Sequence, residues 1–479
     1  MTTPVDLEEK IGKWNRFRDA LPGKRKGATT NEGVDRLILT TSIPSMINLA
    51  VVPIVNSVDT FWVGRMGNAL ALAGQAAANQ VFFTIFFLVN YLPTITAPLV
   101  AAAVGSGNDE EARQRVCESI FLSNLLGALG TLLLVGFPAT ALGMILPKGA
   151  PALEYATPYL ALRALSMVPA LFSATGFATF RGLLDTVTPL KVSLGTNLLN
   201  LVLDPLLIFA SPLGFVGAAL ATAISEAASG LTYLRLLLKR NLVTPALILR
   251  PPSWKSLRPL LQGGASMLGR QLALNIGLVS AARRAQSMDP TGVSAAAYGI
   301  VMQMYSVGIV VHVAMQGTCA ALVPSTLARS GKDEARRVAD RIFIWGSIVG
   351  VLLGLTQFLA LPFLVPVFST LPEVQEAVRA PALLASILHV INGPVFAGEG
   401  ALLGLGCYRD LMLITAAGIA TMVACLTSPL GKRLDGILLS LMAFCSLQAV
   451  AVVVHYLKIG PLAVRWQKSN KAAGVVVTD

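Results

Sequence analysis

The chain has 479 residues, of which 54% are hydrophobic and 13% are charged, and its formal net charge is +12. Soluble domains carry roughly 25% charged residues, so this composition excludes an ordinary soluble protein. Nucleic acid is excluded as a partner, because the positive charge forms no basic stripe interleaved with aromatic residues. Most of the chain must therefore contact a lipid bilayer or other buried segments.

Long runs without charged residues predict the membrane spans, because about 20 apolar residues cross a bilayer. Membrane barrel strands are roughly 10 residues long, so these much longer runs indicate helices. The fold class is therefore an all-α polytopic membrane protein. Twelve spans are predicted, at 37–63, 70–104, 116–142, 153–180, 187–210, 215–238, 259–285, 293–327, 339–367, 378–406, 409–429 and 435–458.

Two sequence motifs repeat along the chain. Ser106–Arg113 recurs as Ser330–Arg336, and Arg181-Gly182-Leu-Leu recurs as Leu403-Gly404-Leu-Gly. Because six spans are an even number, the repeat predicts two parallel six-helix lobes related by a pseudo-two-fold axis along the membrane normal. The predicted parts are a cytoplasmic segment with an amphipathic helix (1–35), an N-terminal lobe (36–238), a cytoplasmic linker (239–258), a C-terminal lobe (259–458) and a cytoplasmic tail (459–479).

The distribution of basic residues predicts the orientation. Most of the 37 Lys and Arg residues fall on one side of the predicted spans, which places both termini in the cytoplasm. No cleavable signal peptide is expected, since the N-terminal segment has no apolar core. The sequence leaves open whether the membrane is the plasma membrane, the vacuolar membrane or the plastid envelope. We expect a monomer.

Six ionisable residues lie inside predicted spans. Each costs at least about 2.5–3.5 kcal/mol on insertion scales, so each needs a structural or functional reason. They are Asp59, Arg163, Asp204, Glu226, Arg270 and Glu399.

The acids of the first half are candidates for a proton or sodium site. Asn200 precedes Asp204 by four residues, so both project from one helical face and can share a ligand. The alternative for Asp204 is a helix cap, because Pro205 follows it. Asp59 is either part of the cation site or a helix-end residue, and Pro44 in the same span is a candidate hinge.

The second half carries one interior acid. Glu399 is either a proton-binding group or the ion-pair partner of Arg270. Arg270 is a candidate substrate contact, since a guanidinium binds anions bidentately, whereas Arg163 is expected to hold helix-end carbonyls. Glu226 stays open, and the lone histidines His312 and His389 are expected to be satisfied by neighbouring helices.

No cofactor is expected beyond the coupling ion. The five cysteines show no Cys-x-x-Cys spacing, and no cluster has the spacing of metal ligands. A phosphate-binding Gly-rich loop is missing as well, which argues against an ATP-driven pump. A membrane enzyme is not expected.

Several motifs resemble the multidrug and toxic compound extrusion (MATE) family. The most specific is the Arg181-Gly182…Asp185-Thr186…Thr188-Pro189 stretch followed by Asn197–Pro205, and Val58–Thr60 and Leu162–Leu165 also match. Gly269-Arg270 and Ala281–Arg283 resemble the plant and algal branch of the family, which includes citrate exporters.

The resemblance implies a twelve-helix, two-lobe secondary antiporter that exports a solute, either a drug-like cation or an organic anion such as citrate. It implies a cation site for protons or sodium at Asp59, Asn200, Asp204 and Thr222, and it matches Glu399 to an acid of the tenth helix. Arg270 stands where other branches carry an acid. The alternative function is a lipid-linked saccharide flippase of the same superfamily, whereas a major facilitator transporter would carry a basic loop motif that this chain lacks.

Overall fold

The structure is a computed structural model that describes residues 30–146, 149–244, 251–289 and 291–463. The amphipathic helix predicted within 1–35 and the tail from residue 464 lie outside the described residues. The described chain is helical, and its α-helices are α1 (Asn31–Gly64), α2 (Ala69–Val89), α3 (Tyr91–Gly105), α4 (Asp109–Gly136), α5 (Pro138–Leu142), α6 (Leu153–Ala164), α7 (Met167–Gly182), α8 (Val187–Phe209), α9 (Val216–Lys239), α10 (Trp254–Gln286), α11 (Val293–Ser330), α12 (Lys332–Phe368), α13 (Pro372–Gly404), α14 (Tyr408–Thr427) and α15 (Leu434–Val454).

These helices confirm the all-α polytopic membrane class. Among the described residues, eight helical segments are long and apolar enough to cross a membrane, and the bent pair α6 and α7 makes a ninth. Three further long helices, α1, α9 and α10, occupy the remaining predicted spans.

Two predicted spans are broken helices, and a proline follows each break. The 70–104 span divides between α2 and α3, and the 153–180 span bends by 48° between α6 and α7. Pro93 and Pro169 supply no backbone N–H to the carbonyls four residues earlier, which weakens the helix there. By contrast, α1 continues through Pro44 and α8 continues through Pro205.

The described chain forms two compact units. The first unit takes in Ile43–Gly264, and the second takes in the described residues up to Ser42 together with those from Ala265 onward. In the first unit α7 packs against α3, α4 and α9; in the second α13 packs against α11, α12 and α15. Each unit has its own apolar core, around Tyr159 and Phe82 in the first and around Leu388 and Phe444 in the second.

The repeated sequence motifs place a residue with positive φ at matching turns of both units. Gly107 and Gly331, which follow α3 and α11, have φ angles of +76° and +83°. Leu184 and Gly406 occupy the second pair of turns at +60° and +73°. A leucine rarely adopts this left-handed conformation, so the shared turn reflects the repeated architecture rather than a local preference of the residue.

Glycines at equivalent places allow close helix packing in each unit. A Cβ atom at Gly182 would lie 2.7 Å from the Ala97 carbonyl oxygen, and one at Gly404 would lie 2.9 Å from Cδ of Pro324. Small residues of this kind let helix backbones approach inside a membrane. The motif glycines thus bring α7 against α3, and α13 against α11.

Candidate functional site

A polar cavity of about 430 Å³ lies within the first unit. Its volume falls in the range of small-molecule sites, which is about 300–1,000 Å³. Side chains from α1, α2, α3, α6, α7, α8 and α9 line it. Those with a charge or an aromatic ring are Asp59, Phe82, Phe83, Phe86, Arg163, Phe177, Arg181, Glu226 and Tyr233.

Asp59 and Asp204 form an acid pair beside this cavity. Asp59 lines the cavity, while Asp204 is fully buried behind it, and the two carboxyl groups lie close enough to interact. One oxygen of Asp59 and both oxygens of Asp204 find no hydrogen-bond donor among the described residues. Buried carboxyl oxygens are normally satisfied, and uptake of a proton or a cation by this pair stays a prediction.

Asn200 and Thr222 complete the predicted cation site. Asn200 is 3% exposed and lines the cavity one helical turn before Asp204, and neither amide atom has a partner among the described residues. The Thr222 hydroxyl donates to the Ala218 carbonyl at 3.0 Å, which leaves its oxygen able to accept a hydrogen bond or coordinate an ion. The structure therefore brings Asp59, Asn200, Asp204 and Thr222 to one region.

Arg163 is fixed at the break between α6 and α7. Its Nη1 donates to the Ser166 hydroxyl at 3.0 Å, and that hydroxyl donates to the Arg163 carbonyl at 2.7 Å. The guanidinium also lies over the Phe82 ring, 4.3 Å from its centroid. The expected contact with helix-end carbonyls is thus indirect, through Ser166, and the same side chain lines the cavity close to Asp59 and Glu226.

Glu399 in the second unit is surrounded by donors. Arg270 donates to its Oε1 at 2.6 Å and Gln316 donates to its Oε2 at 2.5 Å, while Gln448 also donates to Oε1. Glu399 is 2% exposed, and Gln448 further contacts the Thr415 hydroxyl at 3.4 Å. Of the two alternatives for Glu399, the structure shows the ion pair with Arg270. Substrate binding by Arg270 and cation binding by Glu399 stay predictions, and each now requires that pair to open.

A family model and several known proteins that match this chain point to the same family. The MatE family model matches residues 44–206. The chain is 28% identical over 453 residues to Protein DETOXIFICATION 44, chloroplastic, of Arabidopsis thaliana, with 91% of this chain and 84% of that protein covered. It is 25% identical over 423 residues to a probable multidrug resistance protein NorM of Thermotoga maritima, with coverages of 85% and 87%.

The structural comparison shows the fold. A crystal structure titled as MATE in the bent conformation matches with a TM-score of 0.79 and 20% identity, covering 96% of this chain and 98% of that chain. At this identity the match establishes the fold. The family model and the relatives together support a MATE family transporter. The family resemblance inferred from the motifs is thereby confirmed.

The predicted hinge residue, Pro44, lies within α1. The first unit begins at Ile43, and α1 therefore passes from the second unit into the first next to Pro44. The beginning of α1 is held within the second unit, where Arg341 and the Trp345 indole nitrogen donate to the Asp35 carboxylate, the latter at 2.9 Å. Bending at Pro44 stays a prediction.

Two histidines that are far apart in the sequence, His312 and His389, lie against each other in the structure. His312 and His389 stack in the second unit with ring centroids 5.5 Å apart. His389 Nε2 contacts the Gln357 side-chain oxygen at 3.0 Å, whereas neither ring nitrogen of His312 has a partner among the described residues. The expectation that neighbouring helices satisfy these histidines therefore holds for one nitrogen of His389 and is wrong for His312.

One charged residue of the cavity, Arg181, was not among the candidates selected from the sequence. Arg181 lines the cavity, packs over the Phe177 ring at 5.4 Å and has an Nε without an acceptor among the described residues. It lies directly after the predicted span 153–180, so it was not among the ionisable residues inside spans. The Arg181-Gly182 motif was visible in the sequence, but only the fold shows that the guanidinium reaches the cavity.

Proposed function

We propose that this MATE protein is a secondary antiporter that exports an organic solute in exchange for protons or sodium by alternating access. The observation that carries the proposal is the buried acid pair of Asp59 and Asp204 beside a cavity large enough for a small organic molecule. The multidrug and detoxification names of its relatives support export as the direction.

The acid pair supplies the coupling chemistry. Two carboxylates held together in a poorly solvated place repel one another, so binding of a proton or a sodium ion between them is favoured. Asn200 and Thr222 add oxygen ligands that suit sodium, a hard cation that prefers oxygen. Cation binding from outside neutralises the pair and favours a repacked α1 around Pro44, which expels the solute. Cation release inside then readies the cavity for the next solute.

The cavity offers contacts for either of the two solute classes. Arg163 and Arg181 can bind a carboxylate, whereas Glu226 and the rings of Phe82 and Phe86 can hold an aromatic cation. These first-unit arginines are better placed for an anion than Arg270, because Arg270 already donates to Glu399. We therefore expect Arg181→Gln to reduce citrate export more than export of an aromatic cation.

The test uses purified protein in proteoliposomes loaded with citrate or with a fluorescent aromatic cation. A proton gradient and, separately, a sodium gradient at constant pH are imposed, and solute flux is followed. Asp204→Asn should abolish the gradient-driven flux. The matched control is Glu376→Gln, which removes an exposed carboxylate, 72% accessible, and should leave the flux unchanged. Equal gradient-driven flux by the Asp204→Asn variant would disprove the coupling site.

The same vesicles examine the alternative function. A flippase would move a lipid-linked saccharide between leaflets with no flux of either soluble solute. Measured lipid translocation together with unchanged citrate and cation contents would replace antiport by flipping.

We further propose the plastid envelope as the membrane and the cytoplasmic side for both termini. The chloroplast designation of the Arabidopsis relative supports the first, and the basic-residue asymmetry supports the second. Immunodetection in purified plastid envelopes, against vacuolar and plasma membranes, tests the location. Protease access to terminal tags in sealed vesicles tests the orientation.

A further inference from the structure

Three side chains of different chemistry meet at one end of the second unit. They are Cys407 in the turn between α13 and α14, Asp410 in the first turn of α14, and His455 directly after α15. Their ligand atoms all lie within 4.8 Å of one another. Within the part of the chain that the structure describes, no other group of three His, Cys, Asp or Glu side chains meets this condition.

We propose that Cys407, Asp410 and His455 form a binding site for a divalent metal ion. The ion is one of borderline softness, and Zn²⁺ is the best candidate. A thiolate, an imidazole nitrogen and a carboxylate oxygen are the three ligand types that Zn²⁺ combines. Three protein ligands leave a fourth coordination position for water or an added ligand. This site is independent of the transport cavity in the first unit.

The local backbone places the first two ligands together. Gly406 adopts a φ of +73°, which permits the tight turn that ends α13 and starts α14. The Cys407 amide donates to the Leu402 carbonyl at 2.8 Å, which fixes the residue at the N-cap of α14. Because Asp410 follows by three residues, its carboxylate lies on the same helical face as the Cys407 thiol.

The third ligand, His455, lies where the helix changes from α to π. His455 begins a π-helical turn, His455–Ile459, which is closed by a 2.7 Å hydrogen bond from the Gly460 amide to the His455 carbonyl. Isolated π turns are often found at functional sites. A Cβ at position 460 would lie 2.9 Å from Nδ1 of the ring, so the glycine lets the backbone approach that edge. The opposite nitrogen, Nε2, therefore faces Asp410.

The observed spacing fits coordination of a metal. His455 Nε2 lies 3.2 Å from Asp410 Oδ2, and two ligands of a tetrahedral zinc ion at about 2.1 Å each stand about 3.4 Å apart. The Asp410 side chain is 51% exposed, which gives an ion access from solvent, whereas His455 is 6% exposed and held in place.

The segment that carries His455 is anchored by hydrogen bonds. The neighbouring Tyr456 hydroxyl donates to Asp340 Oδ1 at 2.7 Å, and Arg336 donates to the Leu462 carbonyl at 2.6 Å. These contacts hold the backbone on the C-terminal side of His455. The predicted topology places this end of the unit on the cytoplasmic side, where a thiol stays reduced and available.

Sequence spacing could not reveal this site, and the expectation of no metal cluster rested on spacing. Cys407 and Asp410 are neighbours, but His455 is on another helix. A simple His–Asp ion pair is the alternative interpretation, and it makes no use of the thiol. The experiment must therefore report on sulfur directly.

The test titrates the full-length protein, purified in detergent and freed of metal, with Zn²⁺ by calorimetry and with Co²⁺ by absorption spectroscopy. We expect one equivalent of either ion to bind and a thiolate-to-cobalt charge-transfer band to appear. Cys407→Ser should remove that band, and Cys407→Ser, Asp410→Asn and His455→Gln should each weaken Zn²⁺ binding by at least about 10-fold. Cys425→Ser, which changes a partly exposed cysteine at the other end of α14, should do neither.

A variant that should keep Zn²⁺ binding distinguishes the loss of a metal ligand from misfolding of the protein. His455→Cys offers a second thiolate and should retain Zn²⁺ binding with a stronger charge-transfer band, whereas His455→Gln should not. Lack of a band in the wild-type protein, or an unchanged band in Cys407→Ser, would overturn the proposal. Because no transport is measured, the result does not depend on the proposed antiport.

Discussion

The two units hold their buried acids in opposite ways. In the first unit, Asp59 and Asp204 lie beside an open cavity and their buried oxygens lack donors among the described residues. In the second unit, Glu399 receives hydrogen bonds from one arginine and two glutamines. The difference makes the first acid pair the better candidate for exchanging a cation, whereas the charge of the second acid is already balanced by Arg270.

The internal repeat relates one part of these two arrangements. Gly182 and Gly404, which end α7 and α13, are separated by 222 residues, and the same offset relates Glu399 in α13 to Phe177 in α7, which lines the first-unit cavity. The repeated helix therefore lines an open cavity in the first unit and carries the acid of a closed polar cluster in the second.

The largest expected effect is a loss of transport without a loss of stability, and it is predicted for the first unit. Asp204→Asn should abolish cation-coupled export, while the thermal unfolding temperature stays within a few degrees of the wild type, because no donor loses its partner. Flux in proteoliposomes and unfolding in detergent give the two readouts. A large fall in unfolding temperature would show that the pair is structural and would remove the contrast between the units.

The next effect is on stability and belongs to the second unit. Glu399→Leu leaves the Arg270 side chain, which is 17% exposed, without its partner, so we expect a loss of up to about 3–5 kcal/mol in the free energy of unfolding. The double variant with Arg270→Leu should recover most of this loss, since replacing both members of a buried pair by apolar residues is often tolerated. Failure of the double variant to recover would mean that the glutamine contacts dominate.

A smaller loss of stability is expected at the glycines of the repeated motif, and it should be equal in the two units. Gly182→Val and Gly404→Val each place side-chain atoms against a packed neighbouring helix and should cost about 1–3 kcal/mol. Denaturant unfolding of both variants measures the costs side by side. Strongly unequal values would show that the two helix crossings differ despite the shared motif.

The smallest expected effect concerns the beginning of α1. Hydrogen bonding from Arg341 and Trp345 and the charge of Arg341 lower the pKa of Asp35, although burial opposes the shift. A lowered folded pKa contributes stability above the unfolded value of about 4, and this contribution is lost as the pH falls through the folded pKa. Asp35→Asn should therefore cost below about 1 kcal/mol near neutral pH.

Comparing wild type and Asp35→Asn from pH 7 down to pH 3 checks this sign. The difference in unfolding temperature should shrink as the pH falls. A difference that grows on acidification would contradict the lowered pKa.

Much of the fold was predictable because a membrane restricts it strongly. A bilayer requires long apolar helices, so charge-free runs located the spans, and the repeated motifs indicated two related halves. The breaks at Asn90 and at Leu165-Ser166 were not predicted, although Pro93 and Pro169 were visible. Membrane helices tolerate many prolines, as Pro44 and Pro205 show here.

The candidate site was predictable only in part. Asn200 and Asp204 share a helical face by spacing alone, but their approach to Asp59 depends on the packing of α8 against other elements. The sequence also left two alternatives for Glu399, and only the fold could choose between them, because Arg270 is 129 residues away.

The sequence by itself determined the membrane class, the spans, the repeat and the short list of buried charges, since each follows from the cost of exposing polar groups to lipid. The tertiary structure decided which of those charges have partners. Helix packing gave Glu399 three donors, left Asp204 with none among the described residues, and brought His455 to Cys407 and Asp410. Pairing depends on distances between helices, and those distances are set by packing that no local pattern encodes.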